Sequence, residues 1–380
     1  MLSIGLMSGT SMDGIDAALL QTDGEGLIVE LGHVHLPYSL EVIQALKMAE
    51  QQAKAGQRDF AAATPLSTHL HAEAVQALLN QTGHQASEID VIGYHGQTVF
   101  HDAAQKISLQ IGDGHLLARL TGIAVVNDFR QADLQAGGQG APFAPVYHLY
   151  LAKRDGHLPL AVVNCGGIAN ITLIQDASLE NLIGFDTGPG NGLIDSLVRQ
   201  RTQNQQVMDR DGQYGGQGRV HQAVLDALFD KAILKHGENY FAKQPPKSLD
   251  IRDMHLIAEL DALSIEDACA TLEAFTAESI VRSLDHVDQP IPRHWILAGG
   301  GWYNPVILRE LQQRLQAKLG AVKIETADAM GWNSQALEAQ IFAHFAVRHL
   351  KHLPLTVPGT TGVSRPVTGG VLCRPSNLFK

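Results

Sequence analysis

The chain has only three cysteines, Cys165, Cys269 and Cys373, far apart in 380 residues. Without a CxxC pair, a disulfide framework is excluded, and free thiols in a reducing compartment are expected. The 18 histidines fall into no HExxH or CxxH pattern, so no protein cage for a metal is expected. Basic residues are few: 28 Lys and Arg against 39 Asp and Glu leave a net charge of −11. That argues against a general nucleic-acid-binding surface. No run of 18 apolar residues occurs, so no membrane span is expected. The opening Met1–Gly5 has neither a basic nor a long apolar leader, which points to a cytoplasmic protein. Disorder is excluded by 45% hydrophobic and 18% charged residues. Neither GxxxxGK[ST] nor a strand–GxGxxG–helix unit is present, so neither a P-loop nor a Rossmann site is expected.

What the chain has in excess is glycine, 37 residues, nearly a tenth against about 7% on average. The length suits two domains at about 150 residues each. Hydrophobic patterning predicts strands at 2–7, 15–21 and 27–36, then helices at 40–54 and 60–81. Strands follow at 89–94, 107–111 and 123–126, with a helix at about 114–120. After a Gly- and Ala-rich connection and a helix ending near 151, three strands recur at 160–163, 170–174 and 182–185. Helices at 192–201, 264–286, 305–319 and 334–349 alternate with strands at 294–297 and 322–325, and a β-like end covers 367–372. Two blocks of three strands followed by helices indicate an internal duplication and an α/β architecture.

The glycines collect just after predicted strands. One turn holds Gly9, Thr10, Ser11, Met12, Asp13 and Gly14, running on into Ile15 and Asp16. A second holds Gly166 and Gly167, a third runs from Asp186 through Gly188 and Gly190 to Asn191, and a fourth is Gly299, Gly300 and Gly301. Bare backbone N–H groups that converge on an anion need glycine for close approach, and Ser and Thr hydroxyls add donors. Asp13, Asp16 and Asp186 are the adjacent carboxylates, suited to Mg²⁺ or to base chemistry.

This order of turns resembles the sugar kinase, Hsp70 and actin superfamily. At finer grain, the segment Ile4–Asp16 resembles the signature of the anhydro-N-acetylmuramic acid kinases. So do Gly93–Thr98, Gln110–Asp113, Asn127–Arg130, Asn164–Asn170, Gly184–Asn191 and Gly299–Gly301, while the stretch 250–253 and the 331–334 turn match loosely. The resemblance implies two duplicated actin/hexokinase-like (ribonuclease H-like) domains around an interdomain nucleotide cleft. Domain I would be residues 1–130 plus about 350–380, and domain II about 131–349. It implies an ATP-dependent kinase that opens the 1,6-anhydro ring of anhydro-N-acetylmuramic acid with water and phosphorylates O6, giving N-acetylmuramic acid 6-phosphate and ADP, in peptidoglycan recycling. Asp186 would be the catalytic base; the residues named in the four glycine turns would bind Mg-ATP; His95, Thr98, Arg130 and Glu338 would bind the sugar. It also implies a homodimer. The alternative class is a nucleotide-gated clamp or filament protein of the Hsp70 or actin type.

Overall fold

The computed structural model describes residues 1–9, 12–103, 105–234, 237–250 and 253–375. It divides into two compact units, Met1–His157 with Gln335–Lys380, and Leu158–Ser334.

In chain order the first unit opens with β1 (Leu2–Ser8), β2 (Gly14–Thr22) and β3 (Ile28–Pro37), an antiparallel meander. Helices α1 (Leu40–Lys54) and α2 (Ala63–Thr82) lead to β4 (Val91–Asp102), β5 (Ile107–Ile111), α3 (Gly114–Thr121), β6 (Val125–Asn127), α4 (Gln131–Gln135) and α5 (Ala144–Asp155). The second unit contains β7 (Leu160–Cys165), β8 (Ile168–Ile174), β9 (Ile183–Pro189), α6 (Gly192–Arg201), α7 (Gln222–Asp230), α8 (Ile265–Ser283), β10 (His294–Ala298), α9 (Pro305–Leu319) and β11 (Lys323–Thr326). The chain then returns to the first unit as α10 (Leu337–Leu350), α11 (Pro358–Thr361) and β12 (Val371–Cys373).

Local chemistry explains several element starts. The Ser39 side chain accepts from the N–H of Val42 to start α1, and that of Ser264 accepts from Asp267 to start α8. Asn304 caps α9, and Pro305, which has no N–H to lose, takes its first position.

The duplication is visible in the sheets. Among the described residues, the first sheet runs β3-β2-β1-β4-β6, extended by β12, with β5 on β4; the second runs β9-β8-β7-β10-β11. In both, a three-stranded antiparallel meander is followed by two strands parallel to its first strand or to each other. In the first unit Ile4, Leu6, Ile15 and Leu19 pack one sheet face against Val75 and Leu78 of α2 and Leu117 of α3. In the second, Val163, Ile171, Phe185 and Trp295 pack with Leu197, Phe275 and Leu311 from three helices.

The unit boundaries differ from the expected ones: residues 131–157 and 335–349 belong to the first unit, not to a domain spanning 131–349. The reason lies in α10. It sits on glycine notches in the first sheet, where a Cβ at Gly5 would fall 1.8 Å from the Ala339 carbonyl and one at Gly93 1.9 Å from that of Phe342. Tyr147 of α5 donates to Gln340 of α10 at 3.0 Å, and Arg348 donates to the Gly24 carbonyl at 2.7 Å. The strand expected at 89–94 continues to Asp102, and α7 was not anticipated.

Candidate active site

In the first unit the turn between β1 and β2 is closed by the Met12 N–H on the Gly9 carbonyl at 3.1 Å, with Met12 at φ 55°. Thr10 and Ser11 lie outside the described residues. Met12 and Ile15 bury their side chains, so both can serve a ligand only through the backbone. Asp13 is exposed; Asp16 is half-buried, and its Oδ1 bonds Nδ1 of His35 at 2.8 Å. Burial pushes the Asp16 pKa up, with Asp13 adding to the rise and His35 opposing it. The turn rests on residues that sequence reasoning missed. The Gln97 side-chain amide donates to the Gly9 carbonyl at 3.0 Å and its oxygen accepts from Ser8, whose hydroxyl also meets Tyr38 at 2.8 Å. Gln97 lies inside a quoted motif, and its neighbours in that motif were the only signal for it.

The four expected sugar residues all belong to the first unit. His95 and Thr98 lie within β4 and not in a loop. The β4–β5 register slips between Thr98 and Phe100, a bulge of the kind that re-aims side chains beside a site. Thr98 accepts from Gln110 at 3.2 Å. His95 is buried, with Nδ1 on the Gly96 carbonyl at 2.8 Å and Nε2 accepting from Nε of Arg130 at 3.1 Å. These partners define a neutral tautomer, protonated at Nδ1. Burial, then the Arg130 charge, holds the His95 pKa well below the usual range. Arg130 also donates to the Gly140 carbonyl at 2.7 Å and lies 5.2 Å from the Phe143 ring centre. Glu338, the second residue of α10, is exposed.

In the second unit three of the expected turns converge. The N–H of Asn191 donates to Gly166 at 2.8 Å, and that of Gly190 donates to Gly167 at 3.0 Å. A Cβ at Gly190 would lie 2.0 Å from the Gly166 carbonyl, and one at Gly301 2.4 Å from Sγ of Cys165. Gly299, at φ +90°, is pressed against the Cys165 carbonyl, whereas Gly300 faces open space. Gly188 closes β9 just before this crossing. The result is a glycine cradle at the ends of β7, β9 and β10, a crossing where main chains touch as closely as only glycine allows.

Asp186 sits half-buried on β9, beside a register slip against β8 between Ala169 and Asn170. Its Oδ2 accepts from the N–H of Leu249 at 2.8 Å and its own N–H donates to the Lys247 carbonyl at 3.0 Å. A fixed carboxylate two and four residues before Gly188 and Gly190 can take a proton from a reactant held nearby.

Each unit thus carries its own polar equipment: the Arg130–His95 pair in the first, and the fixed Asp186 carboxylate beside the glycine cradle in the second. Comparison with known proteins identifies the family. Residues 1–375 match the family model described as anhydro-N-acetylmuramic acid kinase. A protein of that name from Methylobacterium nodulans is 46% identical over 99% of this chain and 100% of its own length. Another from Rhodospirillum rubrum is 46% identical over 97% of this chain and 93% of its own. A solved structure, component A of (R)-2-hydroxyglutaryl-CoA dehydratase from Acidaminococcus fermentans, overlays with a TM-score of 0.46 at 12% identity, covering 92% of this chain and 98% of that one. On the family match and these relatives, the chain belongs to the anhydro-N-acetylmuramic acid kinase family and is a phosphotransferase.

Proposed function

We propose that this chain uses ATP and water to convert 1,6-anhydro-N-acetylmuramic acid into N-acetylmuramic acid 6-phosphate and ADP. This is the step that returns the anhydro-sugar of turned-over cell wall to metabolism. The reading includes a cytoplasmic homodimer with the two-domain actin/hexokinase-type arrangement.

The chemistry assigns each group a task. Water adds to C1 and gives up a proton; the C1–O6 bond breaks; O6 attacks the γ-phosphorus, and ADP leaves. Asp186 is the group for the water proton, and the single observation that carries this is its carboxylate, held by the Leu249 N–H next to the glycine cradle. The turn from Gly9 to Asp16 wraps the β- and γ-phosphates through backbone donors. The cradle of Gly166, Gly167, Gly188, Gly190 and Asn191 supplies further backbone contacts, and Gly299–Gly301 lie along the adenosine. Arg130 pairs with the lactyl carboxylate as a fork-shaped donor, with Thr98 and Glu338 at the sugar hydroxyls and His95 behind Arg130.

Mg²⁺ bound with the triphosphate would neutralise charge on the transferring group. Among the described residues no group of three or more His, Cys, Asp or Glu could hold a metal. Such an ion needs only one or two carboxylates besides phosphate oxygens and water. Asp13 and Asp16 fit that demand: burial and the Asp13 charge disfavour an ionised Asp16, a cost that a bound cation would relieve. No helix among the described residues is long and apolar enough to cross a membrane.

A coupled ADP-release assay with ATP and the anhydro-sugar tests the reading. Sugar-dependent ADP release is expected, and ATP hydrolysis indifferent to sugar would sink it. Asp186→Asn should lower kcat by about 10²- to 10⁴-fold, the usual worth of a general base, while ATP affinity stays within a few-fold. Normal turnover in that variant would remove Asp186 from the role.

A further inference from the structure

The segment from Tyr240 to Leu249 in the second unit matched no expectation from the sequence, yet it grips Asp186 at three points. The Tyr240 hydroxyl donates to the Asp186 carbonyl at 2.5 Å. The Lys247 carbonyl accepts from the Asp186 N–H at 3.0 Å, and the Leu249 N–H donates to the carboxylate at 2.8 Å. The segment is itself anchored, since the Tyr240 N–H donates to the Ala232 carbonyl at 2.9 Å and the Asn239 side chain donates to the carbonyl of Phe229 on α7 at 2.7 Å.

Lys247 is the unexpected member. Its side chain is only 2% exposed. Its Nζ lies 4.6 Å from the centre of the Tyr240 ring and donates to the Tyr240 carbonyl at 3.3 Å. Among the described residues no carboxylate forms an ion pair with it. A buried ammonium without a counter-ion costs stability that a Met of similar length would not. What it offers instead is a grip on the aromatic ring whose hydroxyl holds Asp186.

We propose that Tyr240 and Lys247 are positioning residues for Asp186: the ammonium clamps the tyrosine ring, the tyrosine hydroxyl clamps the Asp186 main chain, and together they hold the carboxylate at the reacting water. This rests on the assignment of Asp186 as the base. A misplacement of about 1 Å in such a group can cost ~10²-fold in rate, so the clamp acts on turnover more than on nucleotide binding.

The clamp also titrates. Burial lowers the Lys247 pKa to about 8, with Lys243 adding to the fall. The other charged or titratable groups around its cavity are Asp230, Arg282, Asp285 and His286. Tyr240 stays protonated, because burial and then Asp186 push its pKa well above the usual range. As pH rises through about 8, Lys247 loses its charge and its hold on the ring.

The test compares steady-state kinetics of the wild type, Asp186→Asn, Tyr240→Phe and Lys247→Met across about pH 6 to 9, with circular dichroism to check folding. Tyr240→Phe and Lys247→Met should each lower kcat about 10- to 100-fold at neutral pH, with the KM for ATP within about two-fold. The wild-type alkaline fall in kcat near pH 8 should be missing from Lys247→Met. If Asp186→Asn is inactive while folded Tyr240→Phe and Lys247→Met keep wild-type kcat and its alkaline limb, the proposal is overturned and the base assignment stands. A change confined to melting temperature or to the KM for ATP overturns it too. If Asp186→Asn turns over normally, the base assignment falls and the clamp with it. Should Lys247→Met not fold, the loss of a single oxygen in Tyr240→Phe decides the question.

Discussion

His95 spends both ring nitrogens inside the protein, one on a main-chain carbonyl and one on Arg130. A residue so engaged acts on a ligand through its neighbour, and this changes what its motif implies. The motif suggested a sugar contact; in the structure His95 is a neutral acceptor for Arg130, with its ring 4.5 Å from that of Phe342. Arg130→Lys, which keeps charge but loses the fork, should raise the KM for the anhydro-sugar about 10- to 100-fold, the worth of a charged hydrogen bond. His95→Phe preserves the ring contact and removes only the acceptor; it should reproduce most of that rise. The double variant should be little worse than either single one, because the two act as one unit. Sugar titrations at saturating ATP read all three, and a His95→Phe enzyme with an unaltered sugar KM would detach His95 from Arg130 in this role.

At the scale of elements, the packing of α10 on the first sheet is dictated by what β1 and β4 leave out. The main chain of α10 approaches so closely that a single methyl group at Gly93 would meet the Phe342 carbonyl. Gly93→Ala should therefore destabilise the first unit by about 3 kcal/mol or more, at the upper end of overpacking costs. Gly26→Ala, where nothing lies within 4 Å, should leave the thermal midpoint nearly unchanged. Equal midpoints for the two variants would contradict the notch argument. These contacts also show which parts of the fold were legible. Sequence patterning located α1, α6 and α9 at their observed limits, because that signal is local. The glycine turns were legible as strand-end turns, and in the second unit the structure packs three of them together. The assignment of α10 and α5 to the first unit was not legible, since both are apolar on more than one side and either sheet could have taken them. The Tyr240–Leu249 grip on Asp186 was hidden because two of its three bonds use backbone groups of the segment, which carry no residue signature, and all three span more than fifty residues of sequence.

For the molecule as a whole, one topology used twice carries two kinds of equipment, and the second unit bears an electrostatic cost of its own at a buried carboxylate. Between α8 and the start of α9 the fully buried Glu273 accepts from the Asn304 side chain at 2.6 Å, with Gly215 pressed onto its carboxyl. Its neighbour Asp209 accepts two backbone N–H groups, from Tyr214 and Gly215, both at 2.9 Å. Burial first, and Asp209 after it, against the opposing Asn304 bond, raise the Glu273 pKa to about 9. The sign follows from linkage. Below about pH 4.5 the folded and unfolded chains are both protonated at this position, and its contribution to stability is complete. As pH climbs toward about 9, the unfolded chain releases the proton while the folded one retains it. The second unit then loses stability, at up to about 1.4 kcal/mol per pH unit. Glu273→Gln keeps an acceptor for Asn304, can donate to Asp209 and has no proton to lose. Its melting temperature relative to the wild type should climb steadily from about pH 5 to pH 8. Melting curves that run parallel over that range would mean that Glu273 ionises in the folded protein much as it does in the unfolded chain, and that the Asp209–Glu273 contact is not the pH-dependent weak point of the second unit.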